Sequence, residues 1–310
     1  MSAPPPAQAP ARAPSGLIIV AKPAGMTSHD VVARIRRLTG TRRVGHAGTL
    51  DPMATGVLVI GVEKATRLLG YLALGEKEYE ATIRLGQATD SGDADGNVTA
   101  GRPATGVTEE AVTAAARRLT GEILQVPPAL SAIKVAGQRS YKLARKGVPP
   151  ELAARRVMVR ALETGPLRPA APDGSLADVD VTVTCSSGTY IRSIARDIGD
   201  ILGVGGHLTR LHRTRVGPYR IGDARTLDQL AGHLEVIPLA AAAAAAFRRR
   251  DLTAEETRVL SHGGWLDATG AGPSSGPASA PVAAFSPDGT LIALVTEQQG
   301  RARPLAVFVP

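Results

Sequence analysis

The spacing of apolar residues changes several times along the chain, and each change marks an element. Leu17–Val20 is an unbroken apolar run of strand length. Val31, Ile35 and Leu38 recur at i, i+4 and i+7, behind Thr27 or Ser28 and ahead of Gly40, which predicts a capped helix. Residues 41–56 (TRRVGHAGTLDPMATG) hold three glycines, a proline and almost no periodicity, so a loop is expected, followed by a strand at Val57–Ile60. Tyr79, Ala81, Ile83 and Leu85 alternate with Glu80, Thr82 and Arg84, as in a half-buried strand. Turns are expected over 89–106, a helix over 108–120 and an extended stretch over 129–135. Asp178–Cys185 alternates through Val179, Val181 and Val183 and leads through Ser-Ser-Gly-Thr-Tyr-Ile-Arg into a helical pattern at Ile194, Ile198, Ile201 and Leu202.

Strands with helices between them, but without a regular strand–helix–strand repeat, predict an α+β fold on a mixed, mainly antiparallel sheet. Composition changes at about 238–250. Beyond it, a Gly/Pro/Ser/Ala loop (270–281) and strand-like runs at 282–286, 290–295 and 304–309 predict a small C-terminal β-rich domain. The Ala/Pro-rich Met1–Ser15 lacks the apolar core of a signal peptide and reads as a disordered tail. The expected organisation is a tail (1–15), a main domain (16–238) and a small terminal domain (250–310).

The net charge of +8 changes this picture because of where it lies. Residues 241–310 carry six basic and six acidic residues, so the whole excess falls in 1–240, densest at 31–50, 139–160 and 207–220. A localised basic excess points to a polyanionic partner, since Lys and Arg that neutralise phosphates release condensed counterions. Cys185 is the only cysteine, which excludes an internal disulfide framework or a cysteine-based zinc site and fits a reducing cytoplasm. No apolar run approaches the roughly 20 residues of a membrane span.

Several familiar signals fail. Gly272–Gly276 matches the nucleophile-elbow letters but lies in a Pro/Ser linker. Asp93-Ala94-Asp95-Gly96 resembles a calcium loop, yet Arg102 stands where the bidentate acid belongs, so a turn is expected. There is no Walker A loop and no Gly-x-Gly-x-x-Gly, and His46, His207 and His212 lack metal-ligand spacing. Chemistry without metal or organic cofactor is expected.

The segment Gly45-His46-Ala47-Gly48-Thr49-Leu50-Asp51-Pro52 remains. Its glycines permit close backbone approach, and Pro52 holds Asp51 away from helical geometry. An aspartate before proline is often only a turn residue. Here, however, the preceding 31–50 stretch has Arg34, Arg36, Arg37, Arg42 and Arg43 and no acid, which places the carboxylate in a positive field.

These residues, together with others in the same order, resemble the TruB-type pseudouridine synthases that modify the T-arm of tRNA. The resemblance spans roughly 16–235 and rests on several segments. They are Gly16–Ser28 with Lys22-Pro23, Arg43–Gly56, Lys77–Gly86, the Thr89–Gly96 turn and Ser187–Arg192. It implies the pseudouridine synthase fold, with a PUA-like domain at the C-terminus, and isomerisation of a T-arm uridine, at position 55, by base flipping. Asp51 matches the catalytic aspartate, with attack on ring C6 or on sugar C1′ both open. Tyr79 matches the tyrosine that stacks on the flipped uracil. Arg192 matches the arginine that pairs with the aspartate, Tyr190 lines the same pocket, Leu211 touches the base, and His46 supports the opened loop. Ala21 departs from the family, which commonly has an acid before Lys-Pro. Residues 250–310 resemble the terminal domain only faintly.

A cytoplasmic, monomeric enzyme acting on tRNA without an obligate protein partner or a membrane is therefore expected. A tRNA-folding chaperone that does not need Asp51 is the rival. A glycosidase would need a second carboxylate at a defined place near Asp51. Taken alone, Arg192 could form a surface pair with Asp197, and Tyr79 could simply pack.

Overall fold

Thr27 caps the first helix as its sequence predicts, with its side chain accepting from the Asp30 N–H and Asp30 answering on the Thr27 N–H, and Gly40 ends it at φ 65°. The structure is a computed structural model. It describes residues 14–130, 134–135, 138–139, 152–269 and 280–309, with only the backbone of 134, 135, 138 and 139. The principal elements of the main body begin with β1 (Gly16–Lys22), α1 (Ser28–Thr39), β2 (Val44–Ala47), β3 (Thr55–Val62) and β4 (Lys77–Leu85). They continue with α2 (Glu109–Arg118), β5 (Gly121–Gln125), β6 (Arg155–Pro169), β7 (Ala177–Cys185), α3 (Ile191–Leu202) and β8 (Gly206–Val216). Then follow α4 (Leu239–Ala246), β9 (Arg248–Asp251), α5 (Ala254–Ser261), β10 (Val282–Phe285), β11 (Leu291–Gln298) and β12 (Arg301–Val307).

A ten-stranded sheet runs in the order Ile237–Pro238, β1, β3, β8, β4, β7, β6, β5, with β2 also on β3 and Tyr219–Arg220 on β8. Its pairings are antiparallel except β3 with β8, where His212 and Arg213 lie beside Thr55 and Gly56. The strands β1 and β3 are apolar at nearly every position because both faces are covered. Ile18, Val20, Leu58 and Ile60 pack with Val31 and Ile35 of α1. Leu17, Ile19, Val57 and Val59 join a second cluster with Ala242, Phe285, Leu291 and Phe308, which seats the C-terminal part of the chain on the main sheet. Farther along, α2 and α3 cover β4, β6, β7 and β8 through Val112, Ala115, Ile194 and Ile198. The C-terminal sheet has the order β9, β10, β11, β12, Leu266–Asp267.

The structure departs from the expected elements in one loop and two strands. The expected loop 41–56 contains the strand β2, a four-residue edge too short for its period to register. Strands β6 and β8 were not anticipated. Register shifts between Val159 and Ala161, Leu208 and Arg210, and Arg213 and Arg215 break their alternation, because an extra residue moves the following side chains to the other face. Residues 1–13 of the expected tail, parts of the 129–135 stretch and of the basic 139–160 stretch, and 270–279 with the elbow-like Gly272–Gly276 lie outside the described residues.

Candidate active site

Asp51 stands between the end of β2 and the start of β3, and buried side chains hold the backbone on either side of it. Ser28, at the start of α1, donates to the Leu50 carbonyl (3.1 Å) and accepts from the Leu50 N–H (2.9 Å). Arg213 on β8 donates to the carbonyls of Gly48 (3.0 Å) and Thr49 (3.4 Å). Beyond Asp51, the Lys22 Nζ donates to the carbonyls of Pro52 (3.2 Å), Met26 (2.7 Å) and Pro23 (2.8 Å). Lys22 therefore staples the turn through carbonyls, and Ala21 beside it needs no acid. Two glycines make this loop possible. Gly48 has φ +88°, and a Cβ on Gly56 (φ +102°) would lie 2.2 Å from the Arg213 carbonyl oxygen.

Arg192, in the first turn of α3, faces the carboxylate. Its Nη2 donates to Asp51 Oδ1 at 3.3 Å, and Nε lies 3.0 Å from Oδ2, out of line for a hydrogen bond. A cation at a helix N-terminus opposes the helix dipole, so other acceptors must hold it. Nη1 donates to the Ser91 carbonyl (2.8 Å) and Nη2 to the Leu130 carbonyl (2.9 Å). Asp93 Oδ2 lies 3.5 Å from Nη1. Asp93 is itself buried, accepting from the Ser91 hydroxyl (2.5 Å) and the Asp95 N–H (3.2 Å). The segment expected to be only a turn thus supplies a second carboxylate, but behind the arginine instead of across a substrate bond. Asp197 pairs with Arg196 (2.7 Å), not with Arg192.

One third of the Asp51 side chain reaches solvent. Burial pushes its pKa above the ordinary carboxylate value, Arg192 pulls it back, Asp93 pushes it up again and Lys22 pulls it down. A carboxylate tuned this way in a partly open site is a functional-site signature. Burial also drives the Lys22 ammonium down to about 8, against the pull of Asp51.

The other expected residues lie on β2, β4, β8 and the start of α3. Tyr79 on β4 and Leu211 on β8 are nearly buried and share one apolar cluster with Leu50 and Ala54 beside Asp51. Burial raises the Tyr79 phenol, and the Arg213 guanidinium opposes that. Tyr190 is the N-cap of α3, and its backbone N–H and carbonyl are both held by the Gln125 side chain at 2.8 and 3.1 Å. His46 on β2 stands edge-on to His29 with ring centroids 5.7 Å apart. Burial lowers its pKa, with His29 and Arg213 adding to the effect and the Gly48 backbone opposing it.

Sequence reasoning assigned no site role to Ser28, Asp93, Gln125 or Arg213. Gln125 carries no sequence signal beyond its type, and Asp93 is marked only as part of the Thr89–Gly96 turn. Arg213 does carry one, since it stands two residues from Leu211 and so points to the same side of an extended strand. Among the described residues, no group of three or more His, Cys, Asp or Glu side chains is placed to hold a metal ion. No helix among them is long and apolar enough to cross a membrane.

Comparison with known proteins identifies the family. Residues 36–191 match the TruB family pseudouridylate synthase N-terminal domain, 192–240 the tRNA pseudouridylate synthase B C-terminal domain, and 247–309 the tRNA pseudouridine synthase II C-terminal domain. The tRNA pseudouridine synthase B of Thermobifida fusca (strain YX) is 60% identical over 294 residues, covering 94% of this chain and 98% of that protein. Its counterpart in Streptomyces coelicolor is 56% identical over 297 residues, covering 95% and 97%. Among solved structures, a Cbf5–Nop10–Gar1 complex superimposes with TM-score 0.71 at 26% identity, covering 96% of this chain and 86% of that one. An H/ACA RNP bound to a substrate RNA containing 2'-deoxyuridine gives 0.69 at 26%, covering 95% and 85%. The chain belongs to the TruB family of pseudouridine synthases and has their fold. It is a tRNA pseudouridine synthase, an isomerase that turns uridine into pseudouridine in tRNA.

Proposed function

We propose that the target is uridine 55 in the T-arm and that Asp51 is the residue that performs the isomerisation. The observation that carries the role of Asp51 is the pairing of a partly open, clamped carboxylate with a buried arginine 141 positions away; the T-arm target rests on the family resemblance. Pseudouridine forms when the N1–C1′ bond breaks, the uracil turns, and C5 bonds to C1′. C5 gives up its proton and N1 gains one, so no atom is lost and no redox partner is needed. In this reading Arg192 keeps Asp51 ionised and aimed. Tyr79, Tyr190 and Leu211 receive the extruded base, and His46 supports the loop it leaves. Extrusion costs a few kcal/mol of unstacking, and an aromatic face offsets it by about 1–3 kcal/mol. Residues 16–238 form the catalytic unit and 250–310 a small auxiliary domain. The enzyme works as a monomer in the cytoplasm, with no obligate protein partner and without metal or organic cofactor.

The test is to incubate the purified chain with an unmodified tRNA transcript and map pseudouridine chemically. One modified position in the T-arm at residue 55 is expected, and modification confined to another arm would overturn the assignment.

Tyr79 separates stacking from proton transfer. Tyr79→Phe keeps the ring face, so full activity is expected if stacking alone matters, and normal binding with a stalled reaction if the hydroxyl moves the C5 proton. Tyr79→Leu should lose activity either way, and normal turnover by that variant would reduce Tyr79 to a core residue.

The RNA backbone is expected along α1 and the turn that follows it. Arg34, Arg37 and Arg42 are exposed and have no acidic partner within salt-bridge range among the described residues, and the helix begins at the Asp51 loop through Ser28. Replacing all three with Ala should flatten the dependence of log affinity on log salt, by somewhat under one unit for each phosphate no longer neutralised. Removing Arg249, Arg301 and Arg303 from the charge-neutral C-terminal segment should leave most of the slope. The opposite pattern in filter binding would place the electrostatic anchor in the C-terminal sheet.

A further inference from the structure

Strand β8 turns a charged side chain inward. Leu211 and Arg213 alternate onto the buried face, and Arg213 is 1% exposed. Burying a guanidinium without a partner costs several kcal/mol, yet its partners are backbone carbonyls: Val57 (2.8 Å from Nε), Gly48 (3.0 Å from Nη2) and Thr49 (3.4 Å from Nη1). All three acceptors lie on the segment that carries Asp51 or on the strand that follows it. A Cβ on Gly48 would stand 3.6 Å from Nη1, in contact, so the loop rests directly on the guanidinium. In the β8–β4 ladder Arg213 lies opposite Tyr79, which puts the two side chains on one face. One side chain thus spans the aspartate loop and the tyrosine strand.

The geometry points to Arg213 as a positioning residue of the isomerisation, which fixes the distance and angle between the Asp51 loop and Tyr79 without touching the base. This rests on the roles proposed above for Asp51 and Tyr79. An arginine fork is suited to the task, because its planar donors reach several carbonyls at fixed angles, whereas a lysine ammonium on a flexible stem does not. Arg213→Lys keeps the positive charge beside the loop and removes only the fork, so it tests geometry apart from charge.

The experiment is single-turnover isomerisation of a tRNA transcript by Arg213→Lys, with affinity, melting temperature and pH profile measured on the same protein. The rate should fall by about 10–100-fold, the order that a misplacement near 1 Å produces, with affinity within about threefold (~0.65 kcal/mol). The plateau should drop while the acid limb keeps its wild-type midpoint. Combined with Tyr79→Leu, the loss should be smaller than the product of the two single losses, because both variants break the same arrangement. A merely structural role would lower the melting temperature and leave the rate of the folded protein and this coupling unchanged. Arg213→Gln, which removes the buried charge, serves if the lysine variant folds poorly, with the same expectations. A folded Arg213 variant with wild-type rate overturns the proposal, as does full multiplicativity with Tyr79→Leu. Failure of the underlying reading is seen separately, as an Asp51→Asn enzyme that still forms pseudouridine.

Discussion

Asp51→Asn is expected to abolish pseudouridine formation, by at least about a thousandfold in a single-turnover assay, while tRNA affinity stays within about tenfold. The substitution keeps the shape of the side chain and one acceptor for Arg192, so the clamps on Gly48, Thr49, Leu50 and Pro52 remain in place. What it removes is the negative charge that the proposed mechanism uses. The same charge sets the pH dependence. Burial raises the Asp51 pKa above its ordinary value, with Arg192 opposing, and in the proposed mechanism the reactive form is the ionised one. Activity should therefore fall as pH falls through that raised pKa, with unit slope and a midpoint above the ordinary aspartate value. A near-wild-type rate for Asp51→Asn would remove the carboxylate from the mechanism. Loss of tRNA affinity in step with activity would show that the residue binds and does not react. The same variant separates enzyme from chaperone, since a folding role independent of Asp51 survives it.

Elements with unbroken periodicity were legible in the sequence, and those whose periodicity is interrupted were not. Val31, Ile35 and Leu38 mark α1, and the alternation from Tyr79 to Leu85 marks β4, because no bulge intervenes. Strand β6 changes face after Val159, and β8 does so after Leu208 and again after Arg213, so their apolar residues match neither a period of two nor one of 3.6. The bulges in β8 also kept the spacing signal of Arg213, two residues from Leu211, from being read, since a strand that is not recognised has no inward face to assign. At the site, the Gly-Pro-rich loop around Asp51 could be read from local chemistry. The meeting of Asp51 with Arg192 could not, because it depends on chain topology, and only resemblance to a family anticipated it. Asp93 was hidden for another reason. A short Asp/Gly-rich segment looks like a solvated turn, and only the packing of α3 against it makes Asp93 a buried counter-charge.

That buried counter-charge sets up the second large effect, at Arg192. The guanidinium lies between Asp51 and Asp93, at 3.0 and 3.5 Å, and also satisfies the carbonyls of Ser91 and Leu130. Arg192→Met fills similar space and removes every one of these donors. Asp93, 4% exposed, then keeps the hydrogen bonds from Ser91 and Asp95 but is left without its cation. Removing one partner of a buried pair costs about 3–5 kcal/mol, so urea unfolding should shift by that order. The pKa of Asp51 loses its main downward pull, so the acid limb should move to higher pH and the rate at neutral pH should fall by at least about a hundredfold. Arg192→Lys restores a charge without the fork, and should recover part of the stability but less of the rate. A second substitution discriminates further. In Arg192→Met, adding Asp93→Asn removes the uncompensated buried charge, so stability should rise again while activity stays low. If Arg192→Met unfolds at the wild-type urea concentration with an unmoved acid limb, the guanidinium does not hold the two carboxylates. If Asp93→Asn lowers the stability of Arg192→Met still further, Asp93 serves the turn through Ser91 and Asp95 and not the charge on α3.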